Sequence, residues 1–214
     1  MVLRMKFPAG LRLGLLAVAI AGVLSGTAAS RAYAHEHDTM PMDQGPRAPV
    51  PTDSIYNSDA AWTDHDGKRV TLKSLGGKPQ IVAMFYTTCQ YVCPLIVDEM
   101  KHVERELGPE ARSQVGFALF SFDPERDSPT VLKAYAAKRE LDTHRWRLYT
   151  ANSGDVLELA ALLGVRFRKE PDGEFSHSTI ITVLDRQGVI RYQMLGLNQD
   201  RGPLLKAVRA ALQN

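Results

Sequence analysis

The 214-residue sequence predicts one α/β domain, with a central mixed sheet flanked by helices and a β-hairpin at its N-terminal end. Short apolar runs typical of buried strands alternate with capped, amphipathic helix signals, which favours a mainly parallel sheet with right-handed crossovers. Near the C-terminus two strands are joined by a short turn alone, which adds antiparallel pairing. The resulting order, β-α-β followed by β-β-α, is the thioredoxin-type plan, although a small flavodoxin-like sheet alternates in a similar way.

The first 34 residues differ in composition from the rest of the chain. They contain no acidic residue, an apolar stretch over 13–24 and a small-x-small cleavage pattern at 32–34; their basic residues are Arg4, Lys6, Arg12 and Arg31. This pattern predicts a secretory signal peptide over 1–34. An uncleaved membrane anchor is the alternative, because residues 13–30 carry no charge. Either way, we expect the domain to be periplasmic or otherwise exported.

The charge of the remaining chain argues against one class of partner. Of the 26 Lys and Arg residues four lie in the leader, which leaves 22 basic residues against 24 acidic ones, and no basic stripe is visible. Because phosphate binding needs such a stripe, the sequence predicts no nucleic-acid partner.

Residues 35–52 are predicted to form a flexible arm that precedes a folded domain over 53–214. The arm is rich in Pro, Met, Asp and His and lacks apolar periodicity.

The arm also offers a candidate metal site of its own. If the leader is removed after residue 34, the free amine of His35, two backbone amides and the imidazole of His37 make a square-planar nitrogen set that Cu(II) or Ni(II) favours. The thioethers of Met40 and Met42 suit Cu(I). A solvated polar linker is the alternative.

A β-hairpin opens the domain, with strands at 62–63 and 69–72 around the turn signal Asp66-Gly67. The next strand, over 80–86, is a nearly continuous apolar run, as expected for a strand buried on both faces. This strand leads directly to Cys89.

A helix follows Cys93 and is predicted to end at Gly108-Pro109. Pro94 suits its first turn. Its apolar stripe consists of Ile96, Met100, Val103 and Leu107. The remaining predicted elements are a strand over 115–122, a helix from 129 to about 139 with Ser128 as N-cap, a strand over 146–149, a helix through 163 capped by Asn152 or Ser153 and closed by Gly164, two strands over 179–184 and 189–194, and a helix from about 202 to 212.

Most other polar and aromatic residues have ordinary structural interpretations. His65, His102 and His144 lie beside polar residues and are expected to be solvated. Trp62 and Trp146 are expected in the core.

Cys89 and Cys93 lie four residues apart at a strand-to-helix junction. On a helix, such residues share one face with Cα atoms about 6 Å apart, close enough for a disulfide or for one metal ion. A helix N-terminus favours thiolates, so both thiols are expected to be acidic. The spacing therefore allows metal binding, thiol exchange or a structural disulfide, although a bridge this short constrains the unfolded chain little.

Three motifs together resemble the Sco/SenC family of exported copper-binding proteins that assemble cytochrome c oxidase. They are Cys-x-x-x-Cys-Pro at 89–94 after an apolar strand, Ser-Phe-Asp-Pro-Glu-Arg-Asp-Ser-Pro at 121–129 after the next strand, and Ser-His-Ser at 176–178 opening a late strand. The resemblance covers about residues 50–212.

The resemblance implies a thioredoxin-like fold and copper, as Cu(I) or Cu(II), bound by Cys89, Cys93 and His177. It implies a copper chaperone whose partner is the copper-accepting subunit of a respiratory oxidase. Asp123 matches a recurrent aspartate of the family and is predicted to support the ligands, with a loop cap as the alternative. Because a disulfide would abolish the site, a thiol reductant protein is a second expected partner.

An enzyme is the rival interpretation. In a thiol-disulfide oxidoreductase, Cys89 would attack a substrate disulfide and Cys93 would resolve the mixed disulfide. Cys-x-x-x-Cys rather than Cys-x-x-C, together with the histidine, favours copper, although the two activities are compatible. A peroxidase is disfavoured because residues 86–88 replace the Pro and Thr expected before a peroxidatic cysteine.

Overall fold

The computed structural model describes residues 54–213. The predicted leader (1–34) and the predicted arm (35–52), with its candidate ligands His35, His37, Met40 and Met42, lie outside the described residues. In the part that is described, no helix has the length and apolar character needed to cross a membrane.

Nine strands and five α-helices follow one another over the described residues. The strands are β1 (Ala61–Asp64), β2 (Arg69–Thr71), β3 (Gln80–Phe85), β4 (Gly116–Ser121), β5 (Trp146–Thr150), β6 (Phe167–Lys169), β7 (Phe175–His177), β8 (Ile180–Leu184) and β9 (Ile190–Leu195). The helices are α1 (Val92–Glu106), α2 (Gly108–Ser113), α3 (Pro129–Lys138), α4 (Ser153–Leu163) and α5 (Gly202–Gln213).

Seven of these strands form one mixed sheet in the order β2-β1-β5-β4-β3-β8-β9. The central strands β3, β4 and β5 are parallel, while the outer pairs on both sides are antiparallel. Every residue of β3 and β4 is buried, as their continuous apolar runs predict. The predicted mixed sheet with flanking helices and an N-terminal hairpin is therefore confirmed.

Local signals set several element boundaries. The Ser128 side chain accepts a hydrogen bond from the N–H of Val131 at the start of α3, and Asn152 caps α4 through the N–H of Asp155. Gly164 ends α4 in a left-handed conformation with φ 67°, which glycine adopts without strain. These predicted caps are confirmed.

The structure adds a short helix that the sequence interpretation lacked. Helix α1 ends at Glu106, and Gly108-Pro109 begins α2 rather than a loop. Gly108 has φ 76°, so the chain turns sharply there, and Pro109 then fits the first turn of a new helix.

The prediction that His65 is solvated was wrong. His65 is 2% exposed, because its backbone continues the pairing of β1 with β5 by donating to the carbonyl of Leu148. Its ring Nδ1 accepts from the N–H of Leu148 at 3.2 Å. His102 and His144 are exposed, and Trp62 and Trp146 are fully buried, as expected.

Candidate metal centre

The cysteine loop (residues 86–91) connects the C-terminal end of β3 to α1. Cys93 is the second residue of α1, whereas Cys89 lies in the loop before it. The expectation that both cysteines lie on one helical face was therefore wrong, because the chain enters the helix only at Val92. The two sulfurs meet because the loop folds back over the start of the helix.

Hydrogen bonds make the two thiols unequal. The backbone N–H of Cys93 donates to Sγ of Cys89 at 3.3 Å. Donation from the Cys93 thiol, followed by donation from the N–H groups of Cys93 and Tyr91, lowers the pKa of Cys89 although burial opposes this. The same thiol contact, together with burial, raises the pKa of Cys93. The expectation of two acidic thiols is therefore right for Cys89 and wrong for Cys93.

His177 approaches the sulfurs from a separate two-stranded sheet. It is the last residue of β7, which pairs with β6. Its Nε2 lies 3.8 Å from Sγ of Cys93, and its Nδ1 lies 3.2 Å from the carbonyl oxygen of Ser178. A ring protonated at Nδ1 donates to that oxygen and leaves the Nε2 lone pair facing the sulfurs, as is usual for a metal-binding histidine.

Aromatic side chains surround the imidazole of His177. The ring of Phe122 lies 5.1 Å from it, and the ring of Tyr86 meets it edge-on at 6.1 Å. Phe122 in turn stacks on Phe167 at 5.0 Å and contacts Phe175 at 5.2 Å. These contacts restrict the tilt of the imidazole and exclude water from one side of it.

Two polar side chains connect the β6–β7 hairpin to the sheet. The phenol of Tyr86 donates to Oε2 of Glu174 at 2.8 Å. Arg126, in the loop after β4, donates to the carbonyl oxygen of Gly173 at 2.8 Å and forms an ion pair with Asp123. Asp123 therefore contacts Arg126 rather than a cysteine or the histidine.

Asp127 is a buried site residue that the sequence interpretation missed. Its carboxylate accepts hydrogen bonds from the backbone N–H and hydroxyl of Thr87 and, at 2.5 Å, from the hydroxyl of Ser121. Burial raises its pKa, and these hydrogen bonds oppose that rise. Asp127 belongs to the 121–129 motif, so the available signal was a second acidic residue following a buried strand.

The structure brings Cys89, Cys93 and His177 together. Their three ligand atoms all lie within 4.8 Å of one another, and no other such group of three occurs in residues 54–213. Two sulfurs and one imidazole nitrogen form a soft donor set, which suits Cu(I) and, with an additional weak ligand, Cu(II). The same two sulfurs are also placed for thiol exchange.

The model of one protein family, SCO1/SenC, matches residues 51–213 of the chain. The chain is 34% identical over 114 residues to a SCO1 protein homolog of Bacillus subtilis (strain 168), an alignment that covers 53% of this chain and 58% of that relative. The chain covers between 51% and 63% of the length of the curated relatives it matches.

Solved structures give the same result for the fold. A SCO1/SenC family lipoprotein from Bacillus anthracis str. Ames superimposes with a TM-score of 0.68 at 27% identity, covering 78% of this chain and 99% of that one. The copper-bound structure of ScoI from Bradyrhizobium japonicum superimposes with a TM-score of 0.59 at 27% identity, covering 72% of this chain and 96% of that one.

Proposed function

This chain belongs to the SCO1/SenC family, and on that premise we propose that it is an exported copper chaperone. It holds one copper ion on Cys89, Cys93 and His177 and passes the ion to an empty copper centre, that of a respiratory cytochrome oxidase. The observation that carries the proposal is the convergence of the three ligand atoms within 4.8 Å. The copper-bound relative from Bradyrhizobium japonicum supports the choice of metal.

The unequal thiols provide an order of binding. Cys89, with its lowered pKa, presents a thiolate first, while Cys93 keeps its proton. Copper then displaces the Cys93 proton, and the imidazole of His177 completes a three-coordinate site. His177 is a neutral ligand on a separate hairpin, whereas the two thiolates carry the charge that balances the copper ion. An incoming ligand of the acceptor protein therefore replaces His177 at a lower electrostatic cost than it would replace a cysteine.

The site requires reduced cysteines, so the proposal includes a thiol reductant protein as a second partner. The copper acceptor is the copper-accepting subunit of the oxidase. The proposal includes the leader predicted over 1–34, so both encounters would occur in the periplasm or an equivalent exported compartment, with the protein anchored at the membrane if the leader is retained.

A thiol-disulfide oxidoreductase is the second candidate, and the unequal thiols favour it. The Cys89 thiolate attacks one sulfur of a substrate disulfide and releases the other as a thiol. Cys93 then loses its proton and attacks Cys89, which frees the second substrate thiol and leaves a Cys89–Cys93 disulfide. Two electrons thus pass to the substrate, and the reductant protein restores the dithiol.

An anaerobic Cu(I) titration of the reduced protein against a competing chelator tests the first proposal. The titration is repeated on His177→Ala, on a shortened chain beginning at Thr52, and on His102→Ala as the control for removing an exposed histidine. We expect one tight equivalent that persists in the shortened chain and in His102→Ala and weakens sharply in His177→Ala. Cu(I) affinity that is unchanged in His177→Ala, or no Cu(I) binding in the wild type, would favour the oxidoreductase.

A further inference from the structure

The β6–β7 hairpin forms a sheet of its own, and its strands pair only with each other in the part of the chain that is described. Main-chain pairing with the seven-stranded sheet therefore does not fix its position. Since His177 ends β7, whatever holds the hairpin also sets the distance between the imidazole and the two sulfurs.

The hydroxyl of Tyr86 makes the first connection. It donates to Oε2 of Glu174 at 2.8 Å and accepts from the N–H of Phe175 at 3.4 Å. One oxygen atom therefore forms hydrogen bonds with both a side chain and the backbone of the hairpin. Tyr86 directly follows β3, three residues before Cys89. The connection thus runs from the cysteine loop to the strand that carries His177.

Arg126 makes the second connection, from the loop after β4. Its guanidinium donates to the carbonyl of Gly173 and lies 3.7 Å from Oε1 of Glu174. It also lies over the rings of Tyr86 and Phe175, 5.6 and 5.7 Å from their centroids. Glu174 is therefore held by Tyr86 and Arg126 at once.

We propose that Tyr86, Arg126 and Glu174, the hairpin latch, are positioning residues that fix the imidazole of His177 and thereby favour Cu(II) over Cu(I). This inference rests on the proposed copper site. Cu(II) prefers tetragonal coordination that includes nitrogen ligands, whereas Cu(I) favours soft thiolate ligands. A d¹⁰ ion such as Cu(I) has no geometric preference from its d electrons, so it tolerates a loosely held third ligand.

Variants of the latch loosen His177 without removing it as a ligand. His177→Ala, in contrast, deletes the ligand and weakens the binding of both Cu(I) and Cu(II). Tyr86→Phe keeps the ring that packs against His177 and removes the hydroxyl, which bonds both the hairpin and the Cys89 sulfur. A change shared by Tyr86→Phe and Glu174→Gln is therefore assigned to the hairpin, since Glu174→Gln leaves the contact between Tyr86 and Cys89 in place. Glu174→Gln keeps an oxygen that can accept from Tyr86 but loses the ion pair with Arg126, so its effect should be intermediate. Tyr56→Phe is the matched control, because the buried Tyr56 hydroxyl has no hydrogen-bond partner among residues 54–213.

Hydrogen exchange of the metal-free, reduced protein is the first measurement, because it tests the latch without copper. We expect Tyr86→Phe to speed exchange of the amides over 167–177 several-fold, relative to wild type and Tyr56→Phe, and to leave exchange in β3 and β4 unchanged. Equal protection of the hairpin amides from exchange in all three proteins would refute the proposal that these residues hold the hairpin.

Copper affinity is the second measurement, made for Cu(I) by chelator competition and for Cu(II) by thiolate-to-copper charge-transfer absorption. We expect Tyr86→Phe to lower the ratio of Cu(II) to Cu(I) affinity about tenfold, within the range for partners of metal ligands, which raises the copper reduction potential by about 60 mV. An unchanged ratio of Cu(II) to Cu(I) affinity would refute the proposal that the latch favours Cu(II). A wild-type protein that binds no copper would instead refute the proposed function, and hydrogen exchange alone would then decide whether the latch holds the hairpin.

Discussion

Nε2 of His177 lies 3.8 Å from Sγ of Cys93, although the two residues are 84 positions apart in the chain. The register of the sheet accounts for this contact. Strand β8 runs antiparallel to β3 with Ile181 opposite Ala83, so the residues just before β8 lie beside the residues just after β3. The cysteine loop and the end of the hairpin therefore meet at one edge of the sheet.

The unequal thiols predict selective alkylation. At pH 6 iodoacetamide should modify Cys89 of the reduced protein and leave Cys93 unmodified, because the pKa of Cys89 is lowered while that of Cys93 is raised. Exposure acts in the same direction, since Cys89 is 8% exposed and Cys93 is fully buried. Peptide mass spectrometry after timed quenching measures the site and the rate.

Two variants test the cause of this selectivity. Cys93→Ala removes the thiol that donates to Cys89, so the modification of Cys89 at pH 6 should become slower. Cys89→Ser should leave an unreactive protein. Preferential labelling of Cys93 in the wild-type protein would contradict the assignment of Cys89 as the thiolate.

Asp127 predicts a large effect on stability. Asp127→Ala should lower the free energy of unfolding by about 2–4 kcal/mol, because it leaves the half-buried N–H and hydroxyl of Thr87 and the buried hydroxyl of Ser121 without their hydrogen-bond acceptor. Urea unfolding followed by circular dichroism measures the change. Glu125→Ala in the same loop is the control. Its exposed pair with Lys169 should contribute little because solvent screens it, and equal losses in both variants would contradict the prediction.

The sequence was sufficient for the parts of the fold that depend on local patterns. Strands β3 and β4 are continuous apolar runs, and Ser128, Asn152 and Gly164 lie at helix boundaries that their own chemistry favours. The resemblance to the Sco/SenC family is also confirmed, because its three motifs are short and contiguous in sequence.

The missed features depend on contacts between distant segments. Strands β6 and β7 have three residues each, too few for a periodic pattern, and the stacking of Phe122 on Phe167 helps to hold them. Asp127 gains its role from Thr87, which is 40 positions away. The latch likewise joins Tyr86 to Glu174, which is 88 positions away.

Asp123 predicts an effect on copper that passes through Arg126. Its buried carboxylate pairs with Arg126, which holds the carbonyl of Gly173 in the hairpin. Asp123→Ala should therefore weaken Cu(II) binding about 10–100-fold, measured by thiolate-to-copper charge-transfer absorption. Asp142→Ala is the control, since it breaks a similar pair with Arg145. Unchanged copper affinity in a folded Asp123→Ala protein would mean that Asp123 serves only as a loop cap.

His65 predicts a pH dependence of stability. Burial, reinforced by Arg147, lowers the pKa of His65 below its unfolded value of about 6.5. The unfolded chain then binds more protons, so the contribution of His65 is fully present above pH 6.5 and is lost as pH falls, by up to about 1.4 kcal/mol per pH unit until the folded pKa is reached. Urea unfolding at pH 5–8 should show a shallower slope for His65→Asn, whose amide oxygen can still accept from the N–H of Leu148. The exposed His102→Asn should follow the wild type, and parallel slopes for all three proteins would contradict the prediction.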